Sequence, residues 1–91
     1  MELWVRSQDK KRLMKVNGLH YVECGNTYII NGYGTNEYDN YDIGIYETKE
    51  RALEVMDEIQ EAQLGNYHYR CPSNVKVSNN GNMIIYEMPK E

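Results

Sequence analysis

Ile43-Gly44-Ile45-Tyr46-Glu47-Thr48-Lys49-Glu50-Arg51-Ala52-Leu53-Glu54-Val55-Met56-Asp57-Glu58-Ile59-Gln60-Glu61-Ala62-Gln63-Leu64-Gly65 runs from strand to helix with almost no connection between them. Ile43, Ile45 and Tyr46 read as a strand. Thr48 is a suitable N-cap, and Ala52, Val55, Met56, Ile59 and Ala62 then recur at helical spacing. Leu53 widens that stripe, so a helix over 48–63 is expected to bury one side against a sheet. Gly65 stands where the chain would turn left-handed. On the opposite side, Glu50, Glu54, Asp57, Glu58 and Glu61 read as a solvated face weakened by like-charge neighbours, with an acidic docking surface as the alternative.

Outward from this stretch the chain reads as strands. Leu3–Ser7, Arg12–Val16, Leu19–Cys24 and Thr27–Asn31 are short and apolar enough to pair. Asn17-Gly18 has the composition of a type I′ hairpin turn, and Gly25-Asn26 is a second turn pair. Gly32 to Asn40 is polar and glycine-rich, which predicts a loop outside the core. After the helix, residues 66–74 form a connection containing Pro72, and Val75 and Val77 alternate with polar neighbours. Asn79 to Asn82 turns the chain into Met83–Tyr86, whose continuous apolar run suits a central strand covered on both sides. The expected fold is α+β: a mostly antiparallel sheet of about six or seven short strands with one long amphipathic helix packed on one face. Residues 1–91 are read as a single domain.

A chain of 91 residues has much surface for its core, so homo-oligomerisation is expected. The net charge is −4 and unevenly spread. Arg6, Lys10, Lys11, Arg12 and Lys15 make the first segment basic, while residues 37–61 are acidic apart from Lys49 and Arg51. This balance argues against bulk nucleic-acid binding and leaves room for a small anion. Met1 to Val5 gives way at once to Arg6, Asp9 and Lys10, unlike a secretory signal, and no apolar run approaches the roughly 20 residues that span a bilayer. A cytoplasmic protein with no membrane contact and with Cys24 and Cys71 reduced is therefore expected.

Motifs for catalysis are missing from the sequence. His20 with Cys24 and His68 with Cys71 do not match a zinc-finger spacing. Gly32-x-Gly34 lacks the third glycine and following helix of a dinucleotide fingerprint. No serine stands beside a histidine, and the helical carboxylates lie on a face too solvated to shift their pKa values. The expectation is a protein without catalytic residues, metal or cofactor. Aromatic chemistry is conspicuous instead: nine tyrosines, one tryptophan and no phenylalanine. Tyr21, Tyr28, Tyr46 and Tyr86 fit strands. Tyr33, Tyr38, Tyr41, Tyr67 and Tyr69 fall in polar segments, where a flat face plus a hydroxyl suits an interface or a stacked base.

Three runs carry a resemblance: Leu3-Trp4-Val5-Arg6-Ser7-Gln8-Asp9-Lys10, Ile45 through Gln60, and Tyr86-Glu87-Met88-Pro89. In order and position they resemble short reading frames of phages and prophages of Gram-positive bacteria. The resemblance implies a viral accessory protein made in the host bacterial cytoplasm and acting by stoichiometric binding. Two partners follow as expectations. One is an anionic, nucleotide-like signal of antiviral defence, held by Trp4, Arg6, Arg12, Tyr33, Tyr38, Tyr67, Tyr69 and Arg70 through phosphate pairing and base stacking. The other is a host defence protein met by the acidic helix face.

Overall fold

The computed structural model describes residues 2–36, 38–64, 74–78 and 83–91. Within them the chain forms β1 (Glu2–Arg6), β2 (Leu13–Lys15), β3 (Gly18–Cys24), β4 (Thr27–Tyr33), β5 (Asn40–Tyr46), α1 (Lys49–Gln63), β6 (Val75–Val77) and β7 (Met83–Glu87). The class is α+β and the pairing mostly antiparallel. The strands make two sheets where one was expected: a four-stranded sheet in the order β2-β1-β7-β6 and a three-stranded sheet in the order β3-β4-β5. β1 runs parallel to β7, with Leu3 opposite Ile84 and Val5 opposite Tyr86. The helix lies against β4 and β5 of one sheet and β7 of the other.

Gln8 stitches the two sheets together. It follows β1, and its backbone N–H donates to the Ile43 carbonyl at 2.8 Å. Its side-chain amide then imitates a strand residue: Oε1 accepts from Ile45 N–H at 2.8 Å, and Nε2 donates to the Ile45 carbonyl at 3.0 Å. The same Nε2 reaches the Lys90 carbonyl at 2.7 Å. Backbone groups along the outer side of β5 are thus satisfied without another strand. Nearby, the Tyr46 hydroxyl donates to the Pro89 carbonyl at 2.8 Å, which holds residues 88–91 over β5.

The helix is 15 residues, an ordinary length rather than a long one. The Thr48 hydroxyl accepts from Arg51 N–H at 3.1 Å and opens it. Its buried stripe is Ala52, Val55, Ile59 and Ala62. Met56 packs on the edge of the core. Leu53 does not join the stripe; it is 39% exposed. Glu58 and Glu61 are partly covered rather than solvated, and Glu58 pairs with Arg51 at 3.5 Å. Gly65 lies outside the described residues.

Several turn and strand expectations change for steric reasons. Asn17-Gly18 forms no hairpin, because β2 pairs with β1 while Gly18 already pairs with Tyr33 in the other sheet. Gly18 is needed for close approach instead: a Cβ there would overlap the Tyr33 ring. Gly25, at φ +60°, does make the two-residue turn between Cys24 and Thr27. Gly32 and Tyr33 extend β4 instead of starting a loop, and Gly32 is buried under Leu19 and Ile43. In β7, burial alternates, with Ile84 and Tyr86 inward and Met83 and Ile85 half-exposed, so the strand is central but covered on one face.

A break in register between Ile30 and Asn31 shapes the second sheet. Ile30 pairs with Gly44, yet Asn31 pairs with Asp42, leaving Ile43 as the extra residue of a bulge. Ile43 consequently points into the core at 1% exposed. In an unbroken ladder it would have faced outward beside Asn31.

Two expected outcomes follow. Gln8→Ala removes the side-chain hydrogen bonds to β5 and should cost about 0.5–1.5 kcal/mol in urea denaturation without changing the far-UV spectrum of the folded state. Ile59→Asp should abolish cooperative folding by burying an unpaired charge, whereas Leu53→Asp should leave the urea midpoint nearly unchanged.

Candidate functional site

On the outer face of the three-stranded sheet, side chains from β3, β4 and β5 meet Tyr38 around an open groove of about 510 Å³. It is lined by His20, Val22, Asn31, Tyr33, Tyr38 and Asn40. Strand alternation explains the set. His20 pairs with Asn31 and Gly18 with Tyr33, so His20, Val22, Asn31 and Tyr33 share one face. The bulge at Ile43 brings Asp42 and Asn40 onto that same face.

Aromatic surfaces make two sides of the groove. The His20 and Tyr33 rings lie 5.6 Å apart, tilted by 50°. Tyr33 is held because its ring rests on Gly18, where nothing larger would fit. Tyr38 stands at the rim, 88% exposed, with its backbone N–H bonded to the Asn36 side chain at 3.0 Å. The floor is Asn31, 9% exposed. Its Nδ2 donates to Asp42 Oδ1 at 3.1 Å and to Asn40 Oδ1 at 3.4 Å. These two acceptors set which end of the Asn31 amide carries the nitrogen. Among the described residues, no lysine or arginine lines the groove.

Among the described residues, the expected ligand residues are dispersed. Tyr33 and Tyr38 come together in the groove. Trp4 and Arg6 share the outer face of the four-stranded sheet, where the Trp4 indole donates to Glu2 at 3.2 Å and Arg6 Nη1 to the Lys10 carbonyl at 3.1 Å. The Trp4 hydrogen bond, reinforced by Lys15, holds the Glu2 carboxyl below its usual value. Arg12 precedes β2 and lays its guanidinium 3.5 Å from the centroid of the Tyr41 ring. Tyr67, Tyr69 and Arg70 lie outside the described residues, as do His68 and Cys71. Cys24 is an exposed free thiol, and among the described residues no group of three potential metal ligands occurs.

A second concavity, about 440 Å³, lies between the β5–α1 junction and residues 90–91, lined in part by Tyr46, Thr48 and Arg51. Arg51 is already engaged: its guanidinium pairs with Glu54 and Glu58, and Nε donates to the Glu91 carbonyl at 2.9 Å. An incoming anion would have to displace those partners. Burial pushes the Tyr46 phenol up to about 12, against the opposing charge of Arg51.

His20, Asn31 and Asn40 escaped the sequence reading. A signal for the first two existed, since alternate positions of adjacent strands share a face. Asn40 depends on the bulge, which carries no local signature. Among the described residues, no helix is long and apolar enough to cross a membrane.

The Tyr46 phenol gives a test in alkali. Its folded-state pKa is raised above the roughly 10 of an unfolded tyrosine, so its contribution is complete below pH 10 and is lost as pH rises toward about 12. Relative to the parent, Tyr46→Phe should lose less stability across that window, by on the order of 2 kcal/mol, measured by urea titration at each pH.

Comparison with protein-family models, with curated proteins and with solved structures returns no match.

Proposed function

We propose that this chain is a non-enzymatic accessory binding protein of viral origin, which holds a nucleotide-type signal of bacterial antiviral defence by its base. One observation carries the reading: His20, Tyr33 and Tyr38 line a single groove together with a nearly buried amide, Asn31. Base–aromatic stacking is worth about 1–3 kcal/mol per base. Asn31 and Asn40 line the groove with side-chain amides, whose oxygens suit the exocyclic amine or ring N–H of a purine. A groove rich in acceptors and poor in cations favours the base over the phosphates. Arg6 and Arg12 are accordingly peripheral to binding, and salt dependence is weak.

A second reading has its own support. Leu53 is 39% and Leu64 65% exposed, beside the exposed acids Glu50, Glu54 and Asp57. An acidic helix face carrying uncovered leucines suits a basic protein partner, which would make the chain an inhibitor of a host defence factor.

Calorimetry against nucleosides, linear nucleotides and cyclic dinucleotides separates the two. The base-binding reading expects at least one purine compound to bind, Tyr38→Ala to weaken it about 5- to 100-fold, and Arg6→Ala and Arg12→Ala to change it little. Tyr38 is the variant of choice because its exposed ring leaves stability unaffected. If no compound binds, and a host protein co-purifies stoichiometrically unless Leu53 and Glu54 are replaced, the inhibitor reading takes its place.

A further inference from the structure

Among the described residues, the four sheet edges are not treated alike. β2 and β6 are three residues each and carry Lys15 and Lys76. Short length and a lysine are common ways of discouraging unwanted pairing. The outer side of β5 is met by the backbone and side chain of Gln8. β3 is different. It is seven residues long, it contains no lysine or proline, and its ladder with β4 is unbroken. Among the described residues, no strand pairs with its other side.

Which groups of β3 face that open side follows from the turn. Cys24 and Thr27 flank a two-residue turn, and such flanking residues form a hydrogen-bonded pair. By alternation Val22, His20 and Gly18 also direct their backbone groups to β4. Leu19, Tyr21 and Glu23 then present N–H and C=O outward. These three positions are symmetric about Tyr21.

We propose that β3 pairs antiparallel with β3 of a second copy of this chain, on a two-fold axis through Tyr21. In that register Tyr21 faces its own equivalent, and Leu19 of each copy faces Glu23 of the other. About six backbone hydrogen bonds form. The pattern is self-complementary, as an isologous contact must be. No like charges become direct neighbours: Glu23 lies across from leucine and keeps its own partners, Lys49 at 3.8 Å and the Tyr21 hydroxyl at 2.7 Å. A different protein would need a matching strand, whereas a second copy supplies one at equal concentration. The pairing also changes the groove. His20 and Val22 line it from β3, and across the axis His20 of one copy stands opposite Val22 of the other. Two separate grooves become one continuous cleft on a six-stranded sheet. The pairing stands on the edge geometry and does not depend on what the groove binds.

The test uses the full chain. Sedimentation velocity should show a dimer at micromolar concentration, and Glu23→Pro, which removes an outward N–H at an exposed edge position, should give a monomer with an unchanged folded spectrum. Register is tested separately with His20→Cys and Val22→Cys combined on a chain whose Cys24 and Cys71 are replaced by serine. Residues at non-hydrogen-bonded antiparallel positions sit about 4.5 Å apart at Cα, close enough for a disulfide. Mild oxidation should give a covalent dimer, while either cysteine alone should not. A chain that stays monomeric to about 100 micromolar and yields no cross-link overturns the proposal, as does a dimer that persists unchanged in Glu23→Pro without cross-linking.

Discussion

Glu2–Arg6 and Met83–Glu87 lie side by side and parallel, in register over their full length, at the centre of the four-stranded sheet. That pairing places Leu3, Val5, Ile84 and Tyr86 on one face, where the helix covers them. It also sets the direction in which the chain leaves each strand. From β1 the chain runs to Gln8 on β5, and from β7 it runs through Met88 and Pro89 across the same strand. The Met88 N–H continues the parallel ladder by donating to the Arg6 carbonyl at 3.0 Å. The two ends of the described chain therefore clasp the middle sheet together. Such a joint is slow to find, because its loop closure spans nearly the whole chain before any contact repays it.

Polar side chains do the joining. Gln8 has the length and planarity to copy a peptide group, so it can satisfy the outer side of β5 while remaining part of a turn. That turn has its own internal frame: Ser7 Oγ donates to Asp9 at 2.6 Å and accepts from Arg12 N–H at 3.1 Å. Lys10 adopts φ 66°, a left-handed conformation costing about 1–2 kcal/mol for a residue with a side chain. The surrounding hydrogen bonds hold it there. The basic character of this segment is thereby spent on surface pairs, Lys10 with Glu87 and Lys15 with Glu2, and on the Arg12–Tyr41 contact. These are weak and exposed interactions.

The groove owes its chemistry to the bulge at Ile43. One extra residue keeps an isoleucine in the core and turns Asp42 and Asn40 to the face where Asn31 needs acceptors. Without it, the Asn31 amide would be nearly buried beside an outward isoleucine, at the cost of an unsatisfied donor. The same local event thus completes the core and builds a polar floor beneath the aromatic rings.

The sequence by itself determined whatever depends on near neighbours. The helix was legible from the spacing of Ala52, Val55, Ile59 and Ala62 and from the Thr48 cap, because helical burial and capping act within four residues. The Gly25-Asn26 turn and the strands on either side were legible for the same reason, and Tyr33 and Tyr38 stood out as aromatics without a core to fill. Only the tertiary structure decided which strands pair. Parallel β1–β7 pairing, the division into two sheets and the Gln8 joint all link residues tens of positions apart, for which composition and period carry no signal. Asn17-Gly18 shows the limit well: its composition favours a hairpin, but the better-paired neighbours of β2 and β3 lie elsewhere, and the glycine is used to admit a tyrosine ring. Arg6 and Arg12, adjacent to one turn in sequence, end on different surroundings because one lies on a strand face and the other beyond its end. Convergence into a site is a property of sheet order and register, and those are fixed by long-range contacts.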